Sequence, residues 1–306
     1  MTTDYIFFVH GVKSRDRQAF EGNCNAILQS VGQYLEGKDR RLEPIYLFWG
    51  NLNVDYQTNL VDGLKKSPQW QKLWFQEFRS QTILPFVGDA ALYLSRHVGA
   101  KVAYQFRDIT LEKLRHRQPG DRLHLVTHSL GTVILFDLLF AGRWQDPRLN
   151  QDTSTRDLNQ AIREIREVLF GLAPKPEEGL QIASIHTLGS PLALFSLLSV
   201  TGESSHDLAP NLRQLLQNLY HKNGKRPLPW YNYLHPGDPI AYTLQGVIPT
   251  LLQPAQFYVQ VRDVITEHYG FPLTQGILPL LWGGSAHESY WQSRLVAKTI
   301  AQTLAL

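Results

Sequence analysis

Short apolar runs separated by longer stretches of helical spacing set the pattern of the chain. Tyr5–His10, Pro44–Trp49, Arg122–Thr127, Ile182–Leu188, Trp230–Leu234 and Gln256–Val261 are predicted as strands. Most are continuous apolar or β-branched runs, the signature of strands covered on both faces. Leu123-His124-Leu125-Val126-Thr127 is typical, entered through the turn Pro119-Gly120-Asp121. Between the strands the period changes. A helix is predicted near Val98–Arg117 and another over Asp157–Leu172, where Leu158, Ile162, Ile165, Val168 and Leu169 share one face. The alternation predicts an α/β fold with a mostly parallel central sheet of about six strands and helices on both faces. Residues 51–118 and 143–180 are predicted as helical insertions. The aromatic stretch Trp70–Phe78 reads as helical core, with a lid or docking surface as the alternative. Without repeats, low-complexity tracts or linkers, a single domain over 1–306 is expected.

Composition narrows the classes. A chain of 306 residues with 43% apolar and 19% charged residues can bury a sizeable core unaided. A formal charge of +3 is too small to imply nucleic acid, so no such partner is expected. Lys38-Asp39-Arg40-Arg41 and Lys222-Asn223-Gly224-Lys225-Arg226 read as solvated loops. Cys24 is the lone cysteine, which excludes an intramolecular disulfide and cysteine metal clusters and suits a reducing compartment. The start of the chain has no signal-peptide pattern, and no apolar run approaches the roughly 20 residues that span a bilayer. A cytoplasmic protein is expected, with peripheral contact at a membrane surface left open.

The candidate chemistry begins where Leu123–Thr127 runs into Thr127-His128-Ser129-Leu130-Gly131 and a helix follows. A strand, a sharp turn and a helix hold a serine hydroxyl proud of a sheet in a strained backbone conformation. Gly131 lets the helix pass close to the strand, while Thr127 stands where glycine is commoner. Leu130–Phe140 is apolar nearly all round and is expected to be buried, closed by Ala141-Gly142. Leu130 N–H, at the positive end of that helix, is the natural first donor to an oxyanion. The plain alternative is that Ser129 caps the helix. Phe8-Val9-His10-Gly11-Val12 ends the first strand, and Val12 N–H is the expected second donor. His10 is expected to orient that loop.

A nucleophilic serine needs a base and an acid to orient it, and on such sheets the chain order is Ser, Asp or Glu, then His. His287, in the glycine-containing loop Gly283–Trp291, is the favoured base, against His235 and His268. His128 is expected to point elsewhere. Asp238, in His235-Pro236-Gly237-Asp238-Pro239-Ile240 after a strand, is the favoured acid, against Asp263. Asp137 lies in the elbow helix, away from any base. Gly189-Ser190-Pro191 reads as an ordinary start for a helix over Leu192–Val200.

Taken together, Val9-His10-Gly11, Thr127–Gly131 and Leu188-Gly189-Ser190-Pro191 resemble the α/β-hydrolase lipases and esterases. His235–Tyr242 and His287-Glu288-Ser289-Tyr290-Trp291 look more specifically like the catalytic region of DDHD-domain phospholipases. Ser289 departs from that pattern, which would put aspartate two residues after the histidine, and Gly131-Thr132 replaces a glycine pair. The resemblance implies a triad of Ser129, Asp238 and His287, with phospholipid or another long-chain ester as substrate. No metal or cofactor is needed for that chemistry. A thioesterase or acyltransferase uses the same groups, and a non-catalytic binding protein on the same scaffold is a further reading. Gly246–Leu252, Phe271-Pro272-Leu273 and Ile277–Trp282 are apolar enough to line an acyl pocket or to be ordinary core.

Overall fold

A computed structural model describes residues 2–12, 14–35, 40–141, 153–170, 180–195, 212–253, 255–266 and 286–305. The strands are β1 (Thr2–Val9), β2 (Arg40–Leu47), β3 (Arg122–His128), β4 (Gln181–Leu188), β5 (Leu228–Leu234) and β6 (Val259–Ile265). All pairings are parallel, in the order β2-β1-β3-β4-β5-β6. The longer helices are α1 (Arg17–Tyr34), α2 (Val54–Lys65), α3 (Leu84–Leu94), α4 (Arg96–Lys113), α5 (Leu130–Phe140), α6 (Thr153–Phe170), α7 (Leu212–Lys222) and α8 (Arg294–Leu304). The architecture is α/β-hydrolase-like.

Side-chain alternation along buried strands builds two cores. Ile6 and Phe8 of β1 face Phe20, Cys24, Ile27 and Val31 of α1 and Val296 and Ile300 of α8. Tyr5, Phe7 and Val9 face the opposite way, toward Val102 and Phe106 of α4 and the helices beside it. Phe7 stacks on Phe106 with ring centroids 4.8 Å apart. The α5 helix, sandwiched between sheet and α6, is buried at every residue except Phe136, as its all-round apolar sequence demands.

Strand boundaries differ from the apolar runs where charge is paired. β2 begins at Arg40 because Arg40 grips the buried Asp4 of β1, with Nε and Nη2 at 2.5 and 2.7 Å from its oxygens. Arg122 of β3 holds the same carboxylate at 2.8 and 3.1 Å. Arg40 and Arg41 are therefore strand residues rather than part of a solvated loop; Lys38 and Asp39 lie outside the described residues. β6 starts at Val259, later than the sequence suggested, because Gln256–Tyr258 forms a 3-10 turn. As an edge strand it exposes Gln260 and Arg262 on alternate positions, which breaks the apolar run.

The middle of the stretch Trp70–Phe78 is not helical core. A 3-10 turn over Trp70–Lys72 gives way to an extended Leu73 and a left-handed Phe75, and Leu73, Trp74 and Phe75 are all exposed. No described helix of at least 18 residues is apolar enough to cross a membrane. Ile248 and Leu252 pack into the main core, so Gly246–Leu252 takes the core role of its two readings. Phe271–Leu273, Ile277–Trp282, Gly283–Ser285, His268 and the end of the helix predicted over Leu192–Val200 lie outside the described residues.

Candidate active site

Strand order reverses between β1 and β3, so the loops leaving their C-terminal ends part company and open a crevice there. Gly11 leaves β1 at that point and Ser129 leaves β3. They touch: a Cβ placed on Gly11 would lie 2.4 Å from Ser129 Cβ and 3.0 Å from its Oγ. Gly131 allows the same approach from the helix side, where a Cβ would sit 2.5 Å from the His10 carbonyl oxygen. Small residues at 11 and 131 are thus a packing requirement of the turn.

Ser129 has φ 54° and ψ −129°, a conformation that L-residues adopt at a cost of order 1–3 kcal/mol. It stands at the N-cap position of α5, yet its side chain makes no capping hydrogen bond. The capping explanation for this serine therefore fails. Its hydroxyl is buried without a hydrogen-bond partner among the described residues. The two departures around it offset each other, because Thr127 Oγ1 and Thr132 Oγ1 hydrogen-bond at 2.8 Å across the turn.

His10 ties down the loop after β1. Its Nδ1 lies 2.6 Å from the Gly11 carbonyl, and Nε2 accepts from the N–H groups of Trp49 and Gly50 at 2.9 and 3.2 Å. The His10 carbonyl accepts from Trp49 Nε1, and the two rings stack at 5.3 Å. Burial depresses its pKa to about 3, so the ring is neutral and suited to holding the loop rather than moving protons. Val12, the next loop residue, is buried in the main core, and Leu130 opens α5 with its N–H in the orphan first turn.

At the far side of Ser129 the structure joins Asp238 and His287, 49 residues apart in sequence, with Nδ1 and Oδ2 at 2.8 Å. The other oxygen of Asp238 accepts from Ile240 N–H at 2.9 Å. Burial alone would raise this carboxyl, but hydrogen bonds and charge from His287, with Ile240 N–H and Tyr290, outweigh it and hold the pKa below the usual range. With Nδ1–H committed to the carboxylate, the free lone pair falls on His287 Nε2, which is buried and lacks a partner among the described residues. His128 does turn away from Ser129's hydroxyl, as expected, but toward His287. Its Nε2 donates to the His287 carbonyl at 2.7 Å and the rings lie 4.6 Å apart. Burial lowers its pKa to about 3, which keeps it neutral.

The competing assignments have other work. Asp263 accepts from Asn232 Nδ2, Leu244 N–H and Gln245 N–H, fixing the segment after the Asp238 loop. Asp137 accepts from Tyr93 Oη at 2.5 Å on the other side of α5. His235 Nδ1 accepts from Gly237 N–H within its own turn. Ser289 donates to the Ala286 carbonyl at 2.7 Å, a local turn bond.

Two residues escaped the sequence reading. Tyr290 is fully buried and donates to Asp238 Oδ2 at 2.7 Å while accepting from His235 N–H at 2.8 Å. Gly189 has φ +57°, and a Cβ there would lie 2.7 Å from Asp238 Oδ2 and 3.0 Å from His287 Nδ1. Gly-Ser-Pro does start a helix, with Ser190 Oγ accepting from Leu192 N–H at 3.2 Å. Its glycine also forms the floor beneath the carboxylate–imidazole pair. A tyrosine three residues after the histidine was a signal within reach, whereas the clearance at Gly189 was not.

No protein-family model matches the chain. Among curated proteins, it is similar to Phospholipase DDHD1 of Bos taurus, 25% identical over 163 residues. The protein of the same name from Homo sapiens is 24% identical over 163 residues, and that from Mus musculus 26% over 161. Each match covers 43% of this chain and 17%, 16% and 27% of the respective relative, so the chain spans a minor part of their length. The likeness agrees with the resemblance to DDHD-domain phospholipases carried by His235–Tyr242 and His287–Trp291.

Proposed function

We propose that the protein is a serine hydrolase that cleaves carboxylic esters of lipids or other long acyl chains through an acyl-enzyme on Ser129. One observation carries the reading. A serine hydroxyl on a strained strand-to-helix turn and the Nε2 of a carboxylate-bound histidine are both buried without a partner among the described residues, and His128, next to the serine, bonds the carbonyl of that histidine. Each such group costs about 1–3 kcal/mol to leave unsatisfied, an expense that makes sense where a substrate completes the bonding. Similarity to phospholipases supports a lipid ester as substrate.

In this mechanism Ser129 Oγ attacks the ester carbonyl carbon while His287 Nε2 takes its proton. The Asp238 carboxylate accepts the Nδ1–H bond and stabilises the imidazolium, and Tyr290 and Ile240 N–H hold the carboxylate in place. The N–H groups of Val12 and Leu130 receive the negative charge on the carbonyl oxygen. His287 then gives its proton to the departing alkoxide, leaving the acyl group on Ser129. Water, deprotonated by His287, attacks that ester; the acid leaves and Ser129 recovers its proton. His10, Gly11, His128 and Gly131 support the turn and the base.

The test is labelling with a fluorophosphonate probe together with turnover of p-nitrophenyl esters of increasing chain length. The folded protein is expected to label and to prefer longer chains. Ser129→Ala is expected to abolish labelling and to lower kcat by at least 10⁴-fold, in line with other serine triads. An unlabelled wild-type protein, or equal labelling of the variant, overturns the proposal. Acyl transfer to an added alcohol in preference to water would reassign the reaction as acyltransfer.

A further inference from the structure

Between β2 and β3 the chain builds a surface that the catalytic proposal does not use. Leu73, Trp74 and Phe75 are 41%, 81% and 72% exposed. Such a run of large apolar side chains in water is unfavourable, roughly in proportion to the area left wet. The loop is nonetheless built to present them. The carbonyls of Leu73, Trp74 and Phe75 accept in turn from Gln76 Nε2 at 3.1 Å, Arg79 Nε at 3.1 Å and Arg79 N–H at 2.9 Å. With these backbone acceptors satisfied internally, the tip can enter a medium poor in hydrogen-bond donors without stranding them.

The charge along the tip segment is mainly basic. Lys65, Lys66, Lys72 and Arg79 are exposed, and Glu77 is the one acid between Gly63 and Ser80. Aromatic side chains flanked by long basic ones match the polar–apolar boundary of a bilayer with anionic headgroups. There the rings sit at headgroup depth and the cations reach the phosphates. A second copy of the chain is a poor occupant, because a two-fold contact would set this basic segment against itself.

The helices on either side of the tip are tied to the candidate site. Arg15, in the loop that follows Gly11 and Val12, donates to the Gly50 carbonyl at 3.2 Å, to Gln57 at 2.8 Å and to Asp89 at 2.7 Å. Asn53 and Gln57 add bonds to the same Asp89 oxygen at 2.8 and 2.6 Å. This knot fastens α2 and α3 to the oxyanion-loop side of the sheet.

We propose that Leu73, Trp74 and Phe75, flanked along the chain by the exposed Lys65, Lys66, Lys72 and Arg79, dock the protein on an anionic phospholipid surface. The proposal extends the lipid-ester reading of the active site, but its binding test needs no turnover. Co-sedimentation is measured with the Ser129→Ala chain and vesicles of phosphatidylcholine containing one fifth phosphatidylserine. Trp74→Ala with Phe75→Ala is expected to lower partitioning at least tenfold while hydrolysis of a water-soluble p-nitrophenyl ester, measured with Ser129 intact, stays unchanged. Each of Lys65→Glu, Lys66→Glu and Lys72→Glu is expected to lower it about fivefold or more, and added salt is expected to weaken binding of the unaltered surface. Salt sensitivity keeps the test open should a variant fold poorly. Equal partitioning of the double variant overturns docking, as does equal binding to pure phosphatidylcholine vesicles. Loss of a wild-type dimer in the double variant assigns the patch to self-association instead. A raised KM for the soluble ester with unchanged partitioning makes it a lid. A protein that binds vesicles but hydrolyses no ester keeps the docking surface and loses the hydrolase reading.

Discussion

Tyr290 is the residue whose role is most sharply defined by its contacts. Its hydroxyl bridges Asp238 Oδ2 and His235 N–H, joining the acid, the loop that carries it and the segment that carries His287. Burial and the adjacent Asp238 charge raise the phenol's pKa, so it remains a donor. Tyr290→Phe is therefore expected to cost about 1.5–3 kcal/mol at pH 7, the range for a hydrogen bond to a charged group. Asp238 has its pKa lowered in the fold, so the stability it contributes is present above its unfolded value and is lost as pH falls. The gap between wild type and Tyr290→Phe should accordingly narrow only as pH drops below about 4, the ordinary aspartate value. Urea unfolding at a series of pH values measures it, and a pH-independent gap would assign Tyr290 a packing role alone. Turnover is expected to fall about tenfold in the same variant, far less than the ~10⁴-fold known for removing the charge of a triad aspartate.

At the scale of the element, the turn between β3 and α5 decides how close helix and sheet can come. A Cβ on Gly131 would meet the carbonyl oxygens of His10 and Val9 at 2.5 and 2.6 Å, and these are backbone atoms that cannot rotate away. Gly131→Ala is expected to destabilise by about 1–3 kcal/mol or more and to displace the loop after β1. Gly22 is the control. It lies within α1, is exposed, and a Cβ there meets nothing within 4 Å. Gly22→Ala should stabilise by about 0.5–1 kcal/mol through helix propensity. Thermal melts of the two variants measure this, and equal shifts would mean that the close approach at Gly131 does not limit the packing. The Thr127–Thr132 bond belongs to this scale too, since it links the strand to the first turn of the helix.

Across the whole molecule, the unusual feature is how many histidines are kept neutral. His10, His124, His128 and His186 are all buried, and burial lowers the pKa of each. His124 and His186 sit in a polar chain through the sheet: His124 Nδ1 to Ser184 Oγ at 2.7 Å, Ser184 Oγ to His186 Nε2 at 2.9 Å, His186 Nδ1 to Tyr233 Oη at 2.9 Å. Below about pH 6.5 the unfolded chain takes up protons that the folded chain refuses, so stability falls with pH. One such histidine removes about 1.4 kcal/mol per pH unit until its folded pKa is reached. The lowered carboxyls Asp4 and Asp238 act in the same direction at lower pH. The melting temperature is expected to fall steadily from pH 7 to pH 5. A flat profile over that interval would mean that these rings titrate in the folded protein.

The sequence alone carried the six strands, the buried α5 helix and the candidate residues of the turn, because these rest on local information. Apolar runs mark strands covered on both faces, an all-apolar helix has to be covered, and a serine between such a strand and helix has few backbone options. Chain order and loop context favoured Asp238 and His287, and the resemblance to DDHD-domain phospholipases pointed to the same pair. Tertiary structure decided the rest. Asp238 met the histidine from the loop beyond β5, whereas Asp263 lies within β6 and holds the neighbouring loop, a division that no spacing in the chain expresses. Arg40 joined β2 because its side chain reaches Asp4 of β1, Gly189 has no room for a side chain because Asp238 and His287 from distant segments lie over it, and Trp74 and Phe75 stayed outside the core because nothing among the described residues covers them. Contacts between segments far apart in sequence are fixed by packing, and packing is a property of the assembled fold.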